Sequence, residues 1–179
     1  VLQTLGDDRL LKPVLFIMYG SALLTTGILR LYCKRIHIQP LKMQKKEVSM
    51  TSSPGAILDT SIMNGFDIIT RLGGYIILFS IYGALLRKLL VPFPTFQATI
   101  AGITEITTGI TCIRGSAIPW SQQFLLILCC TSFGGISTLA QTNCVIQETG
   151  LSIRTYLQGK MLNAAVTSVL ALLFVVFFW

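Results

Sequence analysis

Residues 96–113 read FQATIAGITEITTGITCI, a stretch apolar enough for a bilayer yet loaded with Gly102, Thr104, Glu105, Thr107, Thr108, Gly109 and Thr111. A lipid-facing helix would not carry these. Glu105 is the only carboxylate in the middle of a membrane-compatible segment. An acid at that depth costs roughly 2.5–3.5 kcal/mol even on the mildest insertion scale, so by default it faces protein or water and has a task. At helical spacing Gly102, Glu105, Gly109 and Cys112 share one face, with Thr108 flanking the acid one turn on. A small, polar face lets another backbone approach closely and leaves room for a solute. Two readings stay open here: a packing seam in which Glu105 bonds to threonine hydroxyls or a neighbouring helix, and a path for a solute.

A second stripe of the same kind lies downstream, where residues 132–141 read SFGGISTLAQ. The apolar run from about Phe124 is interrupted at Ser132-Phe133-Gly134-Gly135, and Gly134, Ser137 or Thr138, and Gln141 follow at spacings of three to four. Gly134 and Gly135 permit unwound backbone, Ser132 is a candidate cap for the half-helix beyond, and Ser137 and Gln141 would line it. An interrupted membrane helix presents free N–H groups and the positive end of its dipole, which attract an anion or a carbonyl. The alternative is a helix that is only kinked or tightly packed. Two polar stripes in apolar surroundings predict one shared cavity.

The rest of the chain agrees with a bilayer setting. Of its 179 residues 53% are hydrophobic and only 12% charged, about half the roughly 25% usual in soluble domains. The mean hydropathy of +0.72 excludes a disordered chain as well as a water-soluble globule. At about 20 residues per crossing, the length allows four or five spans and no separate soluble domain. Val14 through Leu29 form a first span, with Pro13 in its opening turn and Arg30 closing it. A basic connection follows from Cys33 to about Gly55, expected on the cytoplasmic side because six of the fourteen basic residues lie between Arg30 and Lys46. From Ile57 to Arg71 the apolar residues recur at helical spacing between Asp59, Asn64 and Asp67, which predicts an amphipathic surface helix. Gly73-Gly74, read as a packing site rather than a break, then opens an apolar run from Tyr75 to Leu86. An amphipathic stretch from Arg154 to Lys160 leads into the last span, Met161–Trp179. The expected organisation is therefore a first transmembrane helix over residues 1–32, a basic cytoplasmic linker over 33–56 and one transmembrane domain over 57–179. The fold class is all-α and polytopic, with broken or re-entrant helices.

Several function classes drop out. The net charge of +7 is scattered near segment ends rather than gathered into a nucleic-acid footprint. Five cysteines, with no C-x-x-C pair, read as small buried hydrophobes. His37 is the only histidine, so neither a histidine-dependent triad nor a two-histidine metal site can be assembled, and neither phosphate-loop pattern occurs. No catalytic residue, metal site or cofactor is expected. The chain opens on Val1 in mid-pattern, which suggests a fragment or one half of a longer protein, and no stretch has the form of a cleavable signal sequence.

In order, Gly73-Gly74-Tyr75-Ile76-Ile77-Leu78-Phe79-Ser80, Gly102-Ile103-Thr104-Glu105-Ile106-Thr107-Thr108-Gly109, and Ser132-Phe133-Gly134-Gly135-Ile136-Ser137 with Gln141 resemble the nucleoside recognition, or Gate, domain family, and within it the YlbJ-type sporulation integral membrane proteins. The likeness covers about residues 57 to 175. It implies a multi-pass protein of the inner or forespore membrane, built from Gate-type repeats like those of nucleoside and ferrous-iron transporters. It further implies a part in loading the developing spore with a small anionic solute, dipicolinate. On the matching positions Glu105, Thr108, Gly109, Ser132, Gly134, Gly135, Ser137 and Gln141 would line the path. This chain looks like mainly the second of two related halves, so a second Gate-type half or another copy of the chain is an implied partner alongside the lipid bilayer. The residues themselves leave an alternative, a structural or assembly subunit that transports nothing, and the resemblance leaves another, a nucleoside or ion transporter of the same family.

Overall fold

A computed structural model describes residues 10–35, 53–89, 94–146 and 151–178. Seven helices make up this part of the chain: α1 (Leu11–Arg35), α2 (Pro54–Leu89), α3 (Pro94–Thr104), α4 (Ile106–Gly115), α5 (Trp120–Phe133), α6 (Gly135–Ile146) and α7 (Ile153–Phe178). No strand occurs among the described residues. Leu11–Tyr32, Pro54–Leu89, Trp120–Ile146 and Ile153–Phe178 are long and apolar enough to cross a membrane. The chain thus fits a multi-pass, all-helical membrane protein. Most of the linker, residues 36–52, and the terminal Trp179 lie outside the described residues.

Local chemistry sets several helix starts. Pro54 and Pro94 each occupy a first helical position, where the missing N–H is no loss. Ser53 caps α2, its Oγ accepting the Ala56 N–H at 3.3 Å. Beyond α4, Gln123 Nε2 reaches back to the carbonyls of Ser116 and Ile118, at 3.2 and 3.0 Å, and fixes the turn into α5.

α5 and α7 carry the core. Phe124, Ile127 and Leu128 of α5 are fully buried and pack with Ile113 of α4 and Ala171 of α7. Phe124 stacks on Trp120 and meets Phe174 with ring centroids 5.6 Å apart. α1 lies antiparallel along α7, bringing Gly20 near Leu170, Thr25 to Asn163 and Leu29 near Gly159. Outward-facing positions on the outer helices are apolar and exposed, among them Phe16, Leu23, Ile77 and Phe177, as contact with lipid requires. The environment differs sharply along the chain: 39% of the most apolar window in Trp120–Ile146 is buried, against 6% for α2.

Two expectations need correction. The amphipathic stretch from Ile57 and the apolar run from Tyr75 are not separate elements, since α2 passes through Gly73-Gly74 without interruption. Neither glycine packs closely: a Cβ on either would meet nothing within 4 Å. The second correction concerns the stretch around Glu105. It is not one helix with a polar face but two, α3 and α4, folded into a hairpin at Glu105, whose own backbone is extended at φ −148° and ψ 124°.

Candidate functional site

The hairpin is shaped by its glycines. Gly102 of α3 and Gly109 of α4 lie backbone to backbone, so closely that a Cβ on Gly109 would overlap the Cα and N of Gly102. On its other side Gly102 leaves space for Cys130 of α5, whose Sγ would be 2.7 Å from an added Cβ. The two residues read as sharing one helical face instead face each other across a turn.

Glu105 stands at that turn, 3% exposed. Its carboxylate is held by the second and third residues of α4. Thr107 and Thr108 donate their backbone N–H groups at 2.9 and 2.8 Å, and their hydroxyls at 2.7–2.8 Å. This is an N-cap made by a glutamate: the acid satisfies donors that the start of a helix leaves free, and its charge sits at the positive end of the α4 dipole. Four donors around two oxygens explain how a carboxylate is tolerated at this burial.

The second break lies against the first. Gly134 and Gly135 both have positive φ, +88° and +80°, which side chains bearing a Cβ rarely adopt. The Gly134 N–H closes α5 on the Cys130 carbonyl at 2.8 Å, and α6 begins anew at Gly135. A Cβ on Gly135 would come within 3.3–3.5 Å of the Ile103 and Thr104 carbonyls and the Ile106 N, the backbone on both sides of Glu105. The amino end of α6 therefore abuts the carbonyl end of α3, and the two interruptions meet as one buried junction.

The structure divides the expected site residues between this junction and its flanks. Glu105, Thr108, Gly109, Gly134 and Gly135 come together there. Ser137 is buried in the first turn of α6 and accepts from Gln141 Nε2 at 3.0 Å, so these two line α6 one turn apart. Thr138 turns back onto the Gly134 carbonyl. Ser132 does not cap α6 as expected. Its hydroxyl faces α7, where Asn163 Nδ2 and Thr167 Oγ1 donate to it at 2.7 and 2.8 Å. Thr25 of α1 donates to Asn163 Oδ1 at 3.1 Å, and Lys160 Nζ lies 3.4 Å from the Ser132 carbonyl.

Sequence reasoning passed over that polar seam, although Lys160, Asn163 and Thr167 recur three to four residues apart in an otherwise apolar helix. The rule that singled out Glu105 flags them equally. Thr107, which gives the carboxylate two of its donors, was named in the polar stretch but not among the residues expected to line the path. Among the described residues no cluster of three or more His, Cys, Asp or Glu could hold a metal ion. No buried side-chain nitrogen or oxygen among them lacks a hydrogen-bond partner. Comparison of the chain with family models, curated proteins and solved structures finds no match.

Proposed function

We propose that this chain is a membrane carrier subunit of the Gate type, which moves a small anionic solute of the dipicolinate kind, in the membrane around a developing spore. The observation that supports this reading best is the contact between two interrupted helices at Glu105 and Gly134-Gly135. Irregular backbone at membrane depth is tolerated only where protein buries it or a cavity lies beside it, and carriers place their solute sites at such breaks. On this reading the first two turns of α6, with Ser137 and Gln141, face the solute, and the dipole of that helix favours a negative group. Glu105 holds the shape of the opposing hairpin. The likeness of the three glycine-bearing motifs to the Gate family is the second support, and the sporulation setting rests on that likeness alone.

The test is uptake of dipicolinate into liposomes containing the purified chain. The wild type should accumulate solute above protein-free liposomes. Glu105→Gln and Gly135→Leu should abolish accumulation. Gln141→Leu, which leaves both breaks intact, should lower it without changing the amount of inserted protein. Wild-type uptake no higher than that of empty liposomes would overturn the carrier reading. The competing reading, a structural subunit that transports nothing, is favoured by one observation: every donor around Glu105 comes from its own hairpin. Uptake at the level of empty liposomes in the wild type and all three variants alike would point to that role.

A further inference from the structure

We infer that the cavity between the carboxyl-terminal ends of α2 and α4 is an oxyanion site, in which Arg87 and Lys88 hold a phosphate or carboxylate group. The cavity measures about 740 Å³, within the roughly 300–1,000 Å³ of small-ligand sites. Arg87 and Lys88 enter it from α2, Gln97 from α3, and Cys112, Gly115 and Ser116 from the end of α4. Its charge is one-sided. Among the described residues no Asp or Glu lines it, and the sequence holds none between Gly83 and Thr104 or between Ile106 and Ala117. Glu105, between those stretches, is occupied by its own hairpin.

Arg87 is positioned rather than loose. Its Nη1 donates to Cys112 Sγ at 2.9 Å, and its carbonyl accepts from Gln97 Nε2 at 2.6 Å. These contacts tie α2 to α3 and α4 and leave the rest of the guanidinium fork for a ligand. Cations in a last turn commonly serve the helix dipole. Here the contact goes to a side chain of another helix rather than to a terminal carbonyl, so that role does not account for the geometry. A planar fork beside an ammonium group suits the several oxygens of a phosphate or carboxylate.

The site also has a place relative to the junction. Cys112 lies seven residues along α4 from Glu105, a rise of about 10 Å. Gly83 of α2 faces Thr108, with an added Cβ 3.9 Å from its hydroxyl. One wall, made of α2 and α4, therefore runs from the junction to the cavity. The anion is either a soluble ion or the headgroup of an anionic lipid, and the same experiment tells them apart.

Cys112 lines the cavity and reports its occupancy. The full chain in nanodiscs of neutral phosphatidylcholine is alkylated with a small maleimide, and each cysteine is quantified by mass spectrometry. Inorganic phosphate at about ten times its dissociation constant should slow Cys112 about tenfold, while chloride at equal ionic strength should not. Cys144 should be unaffected by either. If protection is seen only in nanodiscs containing phosphatidylglycerol, the occupant is a headgroup. In either case Arg87→Gln should remove the protection and Lys88→Gln should weaken it, at unchanged Cys144 labelling, which reports an intact fold. The proposal is overturned if neither phosphate nor anionic lipid protects Cys112, or if Arg87→Gln is protected as well as the wild type. Solute uptake plays no part in this assay, so the site can stand or fall separately from the carrier reading.

Discussion

The chain contains two glycine pairs in apolar surroundings, and they do opposite things. Gly73-Gly74 sits inside the unbroken α2, while Gly134-Gly135 ends one helix and starts another with two positive φ angles. The pairs are alike in composition, so the difference lies in their neighbours. Around Gly73-Gly74 nothing stands within reach of an added Cβ, and the helix satisfies its own backbone. Around Gly134-Gly135 the backbone on both sides of Glu105 presses against one face. On the other side Ser132 is anchored to α7 through Asn163 and Thr167. Glycine permits a break; tertiary contact selects it.

The hardest blow to the junction is Gly109→Leu. Its side chain has to enter space already filled by Gly102, so the cost should reach or exceed the upper end of the roughly 1–3 kcal/mol seen for overpacking. Loss of the monodisperse peak in detergent chromatography, or a collapsed thermal midpoint, would show it. A normal midpoint would mean that the hairpin is not held by the glycine contact. Next comes Gly135→Ala, which forces a Cβ into left-handed backbone at about 1–2 kcal/mol and against the α3 carbonyls. Thermal unfolding in micelles should register the drop. Smallest, and opposite in sign, is Gly73→Ala with Gly74→Ala. Alanine is better than glycine in a helix by about 0.8–1.0 kcal/mol, so each change should raise the midpoint slightly. A fall instead would erase the contrast between the two pairs and reveal a close partner for α2 at that level.

Much of the fold can be read from hydropathy. The first and last spans, the interruption at Gly134-Gly135 and the burial of Glu105 follow from apolar length, paired glycines and the cost of charge in lipid. The break at Glu105 does not, because Ile-Thr-Glu-Ile-Thr-Thr holds neither glycine nor proline and its local spacing is compatible with continuous helix. What folds it is a contact between residues 102 and 109, visible only once the hairpin exists. The same limit misled the reading of Gly73-Gly74 as a packing site, since a glycine pair does not announce whether anything lies beside it. For the candidate site, the acid and the glycines were legible, whereas the direction in which Ser132 points was not. That depends on Asn163 and Thr167, about thirty residues further along the chain.

The unbroken α2 has one more consequence, a matter of simple geometry. Thirty-six residues make a rod of about 54 Å, while the hydrocarbon slab is about 30 Å thick. Sinking the whole rod would need a lean of nearly 60°, and observed tilts stop near 40°. Even at that limit roughly 11 Å must stand proud of the hydrocarbon. A crossing α2 therefore leaves one end outside the slab, and its amino-terminal end, with the exposed Asp59 set among Ile57, Leu58, Met63 and Phe66, has the two-sided surface of a helix that rests at the water boundary.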